Sequence, residues 1–389
     1  MAAAPLAGTL VVDLSRLLPG PLTGKLLADL GARVVKVEEP SLGDPIRMAP
    51  PVREGIGSLA AILLSGIESI ALDLKQPESR EILGKLLERA DVLLESFRPG
   101  TLARLGFPLE ELRERYPRLV ICSVSGWGQS GPYAARAGHD LTYQAAAGTL
   151  ASTAEMSAVQ VADLAGAWSA ATSILAALLE RERTGRGRHV DVALYDAAVH
   201  SNLVGWAVEA GGRRGVGDRL PLTGALPCYN LYETADGRRL AIGALEPHFW
   251  KRFCEAVERP DLVRRQHSES AMARRKVAEL IRTRTLTEWM DLLGRRDIPV
   301  EPVLSAYEAR QHPQLRERGL LAAGPERLPR LGFPARLDGE RPRAGDRLPG
   351  LGEHTKALLA ELGLTEKAGR SAGVGPRFHW KRWLRSWFS

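Results

Sequence analysis

Two side chains in this sequence stand where proton chemistry is feasible. His139 lies in Ala137-Gly138-His139-Asp140-Leu141-Thr142-Tyr143, and Asp163 in Val161-Ala162-Asp163-Leu164-Ala165-Gly166. An imidazole and a carboxyl group are the two side chains best suited to give and take a proton near neutral pH. Each is set where an apolar, small-residue helix is expected to begin. Gly138 permits close backbone approach, and Asp140 opens a helix whose unpaired N–H groups, its own among them, suit a developing oxyanion. His139 reads equally as a satisfied structural histidine. Burial of Asp163 among Ala162, Leu164, Ala165, Gly166 and Ala167 would raise its pKa, and a helix N-terminus would lower it. A plain N-cap is the alternative for that aspartate.

Further candidates follow strands. Arg98 in Phe97-Arg98-Pro99-Gly100 and Lys75 after Leu72-Asp73-Leu74 sit past strand ends, where an open parallel sheet places ligand contacts. Arginine suits phosphate because it is permanently charged and forked. Solvated surface charge is the competing reading for both. Glu246, in Gly243-Ala244-Leu245-Glu246-Pro247-His248-Phe249-Trp250, either faces a cleft or simply begins a helix. The glycine-rich Gly126-Trp127-Gly128-Gln129-Ser130-Gly131-Pro132 lacks the Lys-Ser/Thr of a nucleotide-binding loop. No Gly-x-Ser-x-Gly elbow and no metal-ligand cluster occurs, which argues against a serine hydrolase or a metalloenzyme.

The elements that must position these residues read as α/β. Leu10–Leu14, Val34–Glu38, Ile70–Leu74, Asp91–Leu94 and Leu119–Val124 are expected strands, alternating with helices at Gly20–Leu30 and Pro77–Ala90. That pattern is a parallel, Rossmann-like sheet covered by helices. Helical character then runs from Leu141 to about Arg183, followed by a strand at Arg188–Ala193 and a helix from about Tyr195. Residues 1–205 form the first part of the large domain, and 206–225 a linker centred on Gly211-Gly212-Arg213-Arg214-Gly215-Val216-Gly217. Residues 226–318 form a smaller α+β domain with a hairpin at Tyr229–Gly243, turned at Asp236-Gly237, and helices from about His248 and Ala271. Residues 319–365 return to the large domain, and 366–389 are a basic aromatic tail.

Composition is that of an ordinary globular protein: 389 residues, 44% hydrophobic and 25% charged. No run is expected to approach the ~18 apolar residues of a membrane span, and the N-terminus lacks a signal-peptide pattern, so a cytoplasmic protein is expected. Cys122, Cys228 and Cys254 are too few and too scattered for a disulfide framework and read as core residues. A net charge of +7 suits an anionic small ligand, and no nucleic-acid motif accompanies it. The tail Arg377–Ser389 either touches an anionic membrane surface or is docked on the chain or disordered; the second reading is preferred.

Several stretches together resemble the family III CoA-transferases, and most closely their α-methylacyl-CoA racemase branch. They are Leu27-Ala28-Asp29-Leu30-Gly31-Ala32, Leu72-Asp73-Leu74-Lys75-Gln76-Pro77, Phe97-Arg98-Pro99-Gly100, Ser125–Tyr133, Gly138-His139-Asp140, Val190-Asp191-Val192-Ala193-Leu194 and Gly352-Glu353-His354-Thr355. The resemblance implies a Rossmann-like large domain, a smaller domain and an interlocked homodimer. It implies an acyl-CoA substrate, with coenzyme A entering as part of that substrate and no separate cofactor or metal. In the racemases a histidine and an aspartate face each other across the acyl α-carbon, roles that fall on His139 and Asp163, and a glutamate matching Glu246 supports the histidine. The N–H of Asp140 is the oxyanion donor, and Lys75, Arg98 and Tyr143 are assigned to CoA. In the transferases the aspartate matching Asp163 is instead a nucleophile. A non-catalytic CoA-binding scaffold is the third reading. The sequence departs from the family pattern at Gly66-Ile67-Glu68-Ser69, where an acid replaces the usual basic residues.

Overall fold

The computed structural model describes residues 4–151, 156–212, 220–323 and 328–364. The core of the expected linker (213–219) and the tail (366–389) lie outside the described residues. Two compact units separate. One holds the described residues up to Ala147, Val159–Ser201 and those from Arg316 onward; the other holds the described residues of Gly148–Ala158 and Asn202–Leu315.

The first unit is built on a six-stranded sheet, all of whose neighbours are parallel: β1 (Leu10–Asp13), β2 (Arg33–Glu38), β3 (Glu68–Ala71), β4 (Val92–Glu95), β5 (Val120–Ser125) and β6 (His189–Ala193), in the order β3-β2-β1-β4-β5-β6. Val11, Val34, Val92 and Val120 enter one buried layer, while Val12, Val35, Leu93 and Ile121 enter the other. Helices cover both faces, so these strands read as unbroken apolar runs. α1 (Pro19–Asp29) starts with Pro19 and Pro21 in its first turn and α2 (Pro77–Leu87) with Pro77, where a missing N–H leaves no bond unmade. Strand order reverses between β1 and β4, and ligands of open α/β sheets bind beyond the carboxyl ends at that reversal. β3 ends at Ala71, short of the expected Leu74. There the chain turns, with Gln76 N–H closing on the Asp73 carbonyl at 2.8 Å and Lys75 N–H on Asp73 Oδ1 at 3.1 Å.

β3 is an edge strand, and the Gly352-Glu353-His354-Thr355 stretch closes it. Ser69 N–H donates to His354 Nδ1 and Ala71 N–H to Thr355 Oγ1, both at 3.1 Å, while Gly352 N–H donates to Ser69 Oγ at 2.8 Å. Side chains thus satisfy the donors that a further strand would have taken. The unusual acid nearby is also answered: Glu68 receives Arg33 of β2 through two bonds of 2.8 and 2.9 Å.

The helical stretch expected from Leu141 to Arg183 is two helices, α3 (Asp140–Ala146) and α4 (Val161–Thr184), followed after β6 by α5 (Leu194–Ser201). By length and composition α4 could cross a membrane, contrary to the expectation that no segment approaches a span. Its buried residues are largely small: Ala162, Gly166, Ala167, Ala170, Ala171 and Ala177. Thr23 of α1 donates to the Ala167 carbonyl at 3.3 Å, and a Cβ on Gly166 would stand 2.4 Å from Leu194 Cδ2. Alanine and glycine on the buried side of α4 let α1 and α5 press closely on it, while Trp168 and Leu179 remain exposed on the other.

In the second unit β7 (Tyr229–Glu233) and β8 (Arg239–Gly243) form the expected hairpin, and the short β9 (Val300–Pro302) adds antiparallel to β8. Three residues are too few to announce a strand by alternation. α6 (Pro247–Ala256), α7 (Ala271–Ile281) and α8 (Leu286–Leu293) supply Trp250, Phe253, Val277 and Trp289 to its core. Thr285 and Glu288 cap α8 reciprocally. All three cysteines are buried and unbridged, as expected of core residues.

Candidate active site

Two helix starts adjoin in the first unit, and their capping residues divide the work in a way that leaves two side chains unused. His139 is the N-cap of α3, in extended conformation, yet its imidazole makes no capping bond. Thr142 does that instead: its hydroxyl accepts the His139 N–H at 3.0 Å and donates to the His139 carbonyl at 2.7 Å. The imidazole is exposed and makes no hydrogen bond among the described residues. Asp163 sits in the first turn of α4 but does not cap it. Asp140 Oδ1 accepts the N–H groups of Ala162 at 2.8 Å and of Asp163 at 3.1 Å, and its Oδ2 receives Gln144 Nε2 at 2.5 Å.

This division fixes the electrostatics of Asp163. The amides that would have stabilised its anion are taken by Asp140, whose own negative charge lies close by. Burial first, and Asp140 second, push the Asp163 carboxyl up to about 7. Half-buried, it can therefore hold or release a proton at physiological pH. Asp140 presents its own N–H in the first turn of α3, where no intrahelical acceptor exists.

Tyr143 closes the floor of this region. It is 5% exposed, and Trp127 meets it edge-to-face with ring centroids 5.1 Å apart. A Cβ on Gly138 would stand 2.5 Å from Tyr143 Cε1, and one on Gly126 only 2.0 Å from its hydroxyl. The close approach that Gly138 permits is thus that of this ring. Burial and the nearby Asp163 carboxyl push the Tyr143 phenol up to about 12, against the pull of Arg98. Asp163, Asp140, Tyr143 and Arg98 accordingly share one electrostatic neighbourhood, with His139 at the adjoining helix start.

A second group gathers at the carboxyl ends of β1 to β4. Lys75, Arg16 and Phe97 line a crevice of about 100 Å³ together with the acidic residues Glu38, Glu39 and Asp73. The Arg16 guanidinium lies 6.0 Å from the centre of the Phe97 ring. Lys75 and Arg98 are exposed, with no ion pair among the described residues. The loop carrying Phe97 and Arg98 is held by Glu95, which accepts the Phe97 N–H at 2.7 Å. Burial raises that carboxyl, with Asp191 adding to the effect. Glu246 lies in the second unit as the exposed N-cap residue of α6; its carbonyl accepts the Phe249 and Trp250 N–H groups, and its carboxylate makes no cap bond.

The sequence model of CoA-transferase family III matches residues 6–355. The chain belongs to CoA-transferase family III. This family III chain is 32% identical to acetyl-CoA:oxalate CoA-transferase of Acetobacter aceti, over 93% of its length and 97% of that protein. It is 33% identical to the α-methylacyl-CoA racemase of Homo sapiens, over 93% of its length and 94% of that protein. Among solved structures, a CAIB/BAIF family protein from Brucella suis superimposes with a TM-score of 0.82 at 29% identity, covering 93% of this chain and all (100%) of that one. The relatives of this family III enzyme thus include both racemases and CoA-transferases. Arg16 carries no motif signal of its own. Only the pairing of β1 beside β4 reveals that it stands at the reversal of strand order.

Proposed function

We propose that this enzyme epimerises the α-carbon of a 2-methylacyl-CoA by two-base proton transfer through an enolate. Asp163 and His139 act on opposite faces of that carbon, one removing a proton as the other delivers one. The thioester oxygen is held by the Asp140 N–H as negative charge develops. Lys75, Arg98 and Tyr143 serve the coenzyme A portion. A cytoplasmic homodimer is the working form.

The observation that carries this reading is geometric: Asp140 takes the Ala162 and Asp163 amides, which leaves the half-buried Asp163 carboxyl without a capping role beside the helix start that bears the exposed His139, and burial with Asp140 raises its proton affinity. A carboxyl that is half protonated at neutrality is matched to proton transfer on a weakly acidic carbon. Ionisation state alone does not separate base from nucleophile, since both act from the carboxylate. Incubating a single epimer of 2-methylacyl-CoA with enzyme in D2O should place deuterium at the α-carbon as the other epimer forms. Turnover without α-deuterium would overturn the proposal.

The similarity to the Acetobacter oxalate CoA-transferase favours a second reading, transfer of CoA between carboxylic acids through an Asp163-bound acyl or CoA intermediate. That reaction requires an added carboxylic acid acceptor and leaves a covalent adduct on Asp163 visible in the intact mass. The same D2O incubation with and without an acceptor separates the two.

A further inference from the structure

The turn after β1 is held in a way that ordinary packing does not require. Lys36 is fully buried, its ammonium 3.3 Å from Asp13 Oδ2, 3.1 Å from Asp44 Oδ2 and 2.7 Å from the Ser15 carbonyl. A buried ion cluster of this kind adds little stability over an apolar replacement, because desolvation offsets its attraction. What it contributes is aim. Asp13 Oδ1 accepts the Ser15 N–H at 2.7 Å, and Asp44 Oδ1 accepts the Leu17 N–H at 3.1 Å. Between them the Arg16 N–H donates to Ser96 Oγ at 3.0 Å, tying the turn after β1 to the turn after β4. Leu17 takes a positive φ of 68°, a conformation that disfavours leucine, and is 41% exposed. Asp44 is itself fixed, its N–H donating to Glu38 Oε2 at 2.9 Å.

A glycine-rich turn at this point of a Rossmann sheet offers its backbone N–H groups to phosphate. Here the N–H groups of Ser15, Arg16 and Leu17 are all engaged by side chains, and the exposed Arg16 side chain is left as the donor facing outward. We propose that the Asp13–Lys36–Asp44 cluster is a positioning device, which locks the Ser15–Leu17 turn so that the Arg16 guanidinium, in place of backbone amides, receives a phosphate of the substrate. Arg16 touches the ligand; Asp44 acts only through the turn. A rigid turn keeps the arginine's fork aligned and reduces the ordering that binding would otherwise demand.

The inference rests on the acyl-CoA reading and deepens it. Free coenzyme A is titrated by calorimetry into the full-length wild type and into Arg16→Ala, Asp44→Ala, Asp44→Asn, Ser96→Ala and Arg16→Ala/Asp44→Ala variants, with circular dichroism to check folding. Arg16→Ala and Asp44→Ala are each expected to weaken binding about tenfold, the loss of one charge-assisted contact. The double variant should bind like Arg16→Ala alone, since both changes remove the same contact. Asp44→Asn keeps the oxygen that receives the Leu17 N–H and should restore most of the affinity. In turnover, KM for acyl-CoA should rise with kcat within about twofold. A folded Asp44→Ala protein that binds coenzyme A as tightly as the wild type overturns the inference, as does additivity in the double variant. Should Asp44→Ala fail to fold, the milder Ser96→Ala decides: about threefold weaker binding supports a locked turn, and unchanged binding refutes it. Wild-type protein that binds no coenzyme A would instead defeat the acyl-CoA reading, and this inference with it.

Discussion

Asp140 does more for the chemistry than its place beside a histidine announces. It withdraws two amides from the neighbourhood of Asp163 and adds a negative charge, so its replacement acts on Asp163 in one direction. Asp140→Asn keeps an oxygen for the amides and removes the charge. The limb of the pH–rate profile set by Asp163 should then move from near 7 to lower pH. An unmoved limb in a profile of kcat/KM would show that Asp140 does not tune this group. Stability follows the same linkage. The folded Asp163 carboxyl binds its proton more tightly than the unfolded one, so its contribution is favourable below pH 3.8 and is lost as pH rises toward about 7. Asp163→Asn should therefore abolish turnover yet raise stability at pH 8, by on the order of 1–3 kcal/mol, with little change near pH 4. Urea titrations at the two pH values measure this.

At the scale of elements, β3 depends on residues far away in sequence. Thr355 is buried and receives the Ala71 N–H, so Thr355→Val keeps the volume but strands a donor in a dry place. The expected loss is about 1–3 kcal/mol. The midpoint of urea unfolding should fall without a change in its slope; an unchanged midpoint would mean that water reaches the Ala71 amide. Elsewhere the helix starts carry the lesson. A threonine caps α3 and an aspartate outside α4 caps α4, which frees His139 and Asp163 from the structural roles that their positions suggest.

For the whole molecule, the proposed dimer makes the relevant unit larger than one chain. In the second unit the helix Leu203–Ala210 buries none of its residues, and Leu203, Val204 and Trp206 are 62%, 41% and 48% exposed. The proposed dimer would cover this apolar surface. Light scattering should give twice the chain mass of 42.3 kDa, and Leu203→Glu should shift the protein toward monomer with loss of turnover. A wild-type mass of one chain at assay concentration would defeat the dimer proposal.

What could be read along the chain was whatever repeats at short range. Val11-Val12, Val34-Val35 and Leu93-Leu94 announce buried parallel strands because helices on both faces exclude water, and Asp236-Gly237 announces its hairpin because only certain residues accept that turn. His139, Asp163, Arg98 and Lys75 are visible in the same way, through residue type and position beside an element's end. What only the fold decided is which polar atoms consume one another. That Asp140 caps α4, that Tyr143 fills the space left by Gly126 and Gly138, that His354 and Thr355 seal β3, and that Arg16 stands opposite Phe97 are all contacts between separate segments. Proton affinity and hydrogen bonding depend on distance and burial in three dimensions, and local periodicity carries no record of either.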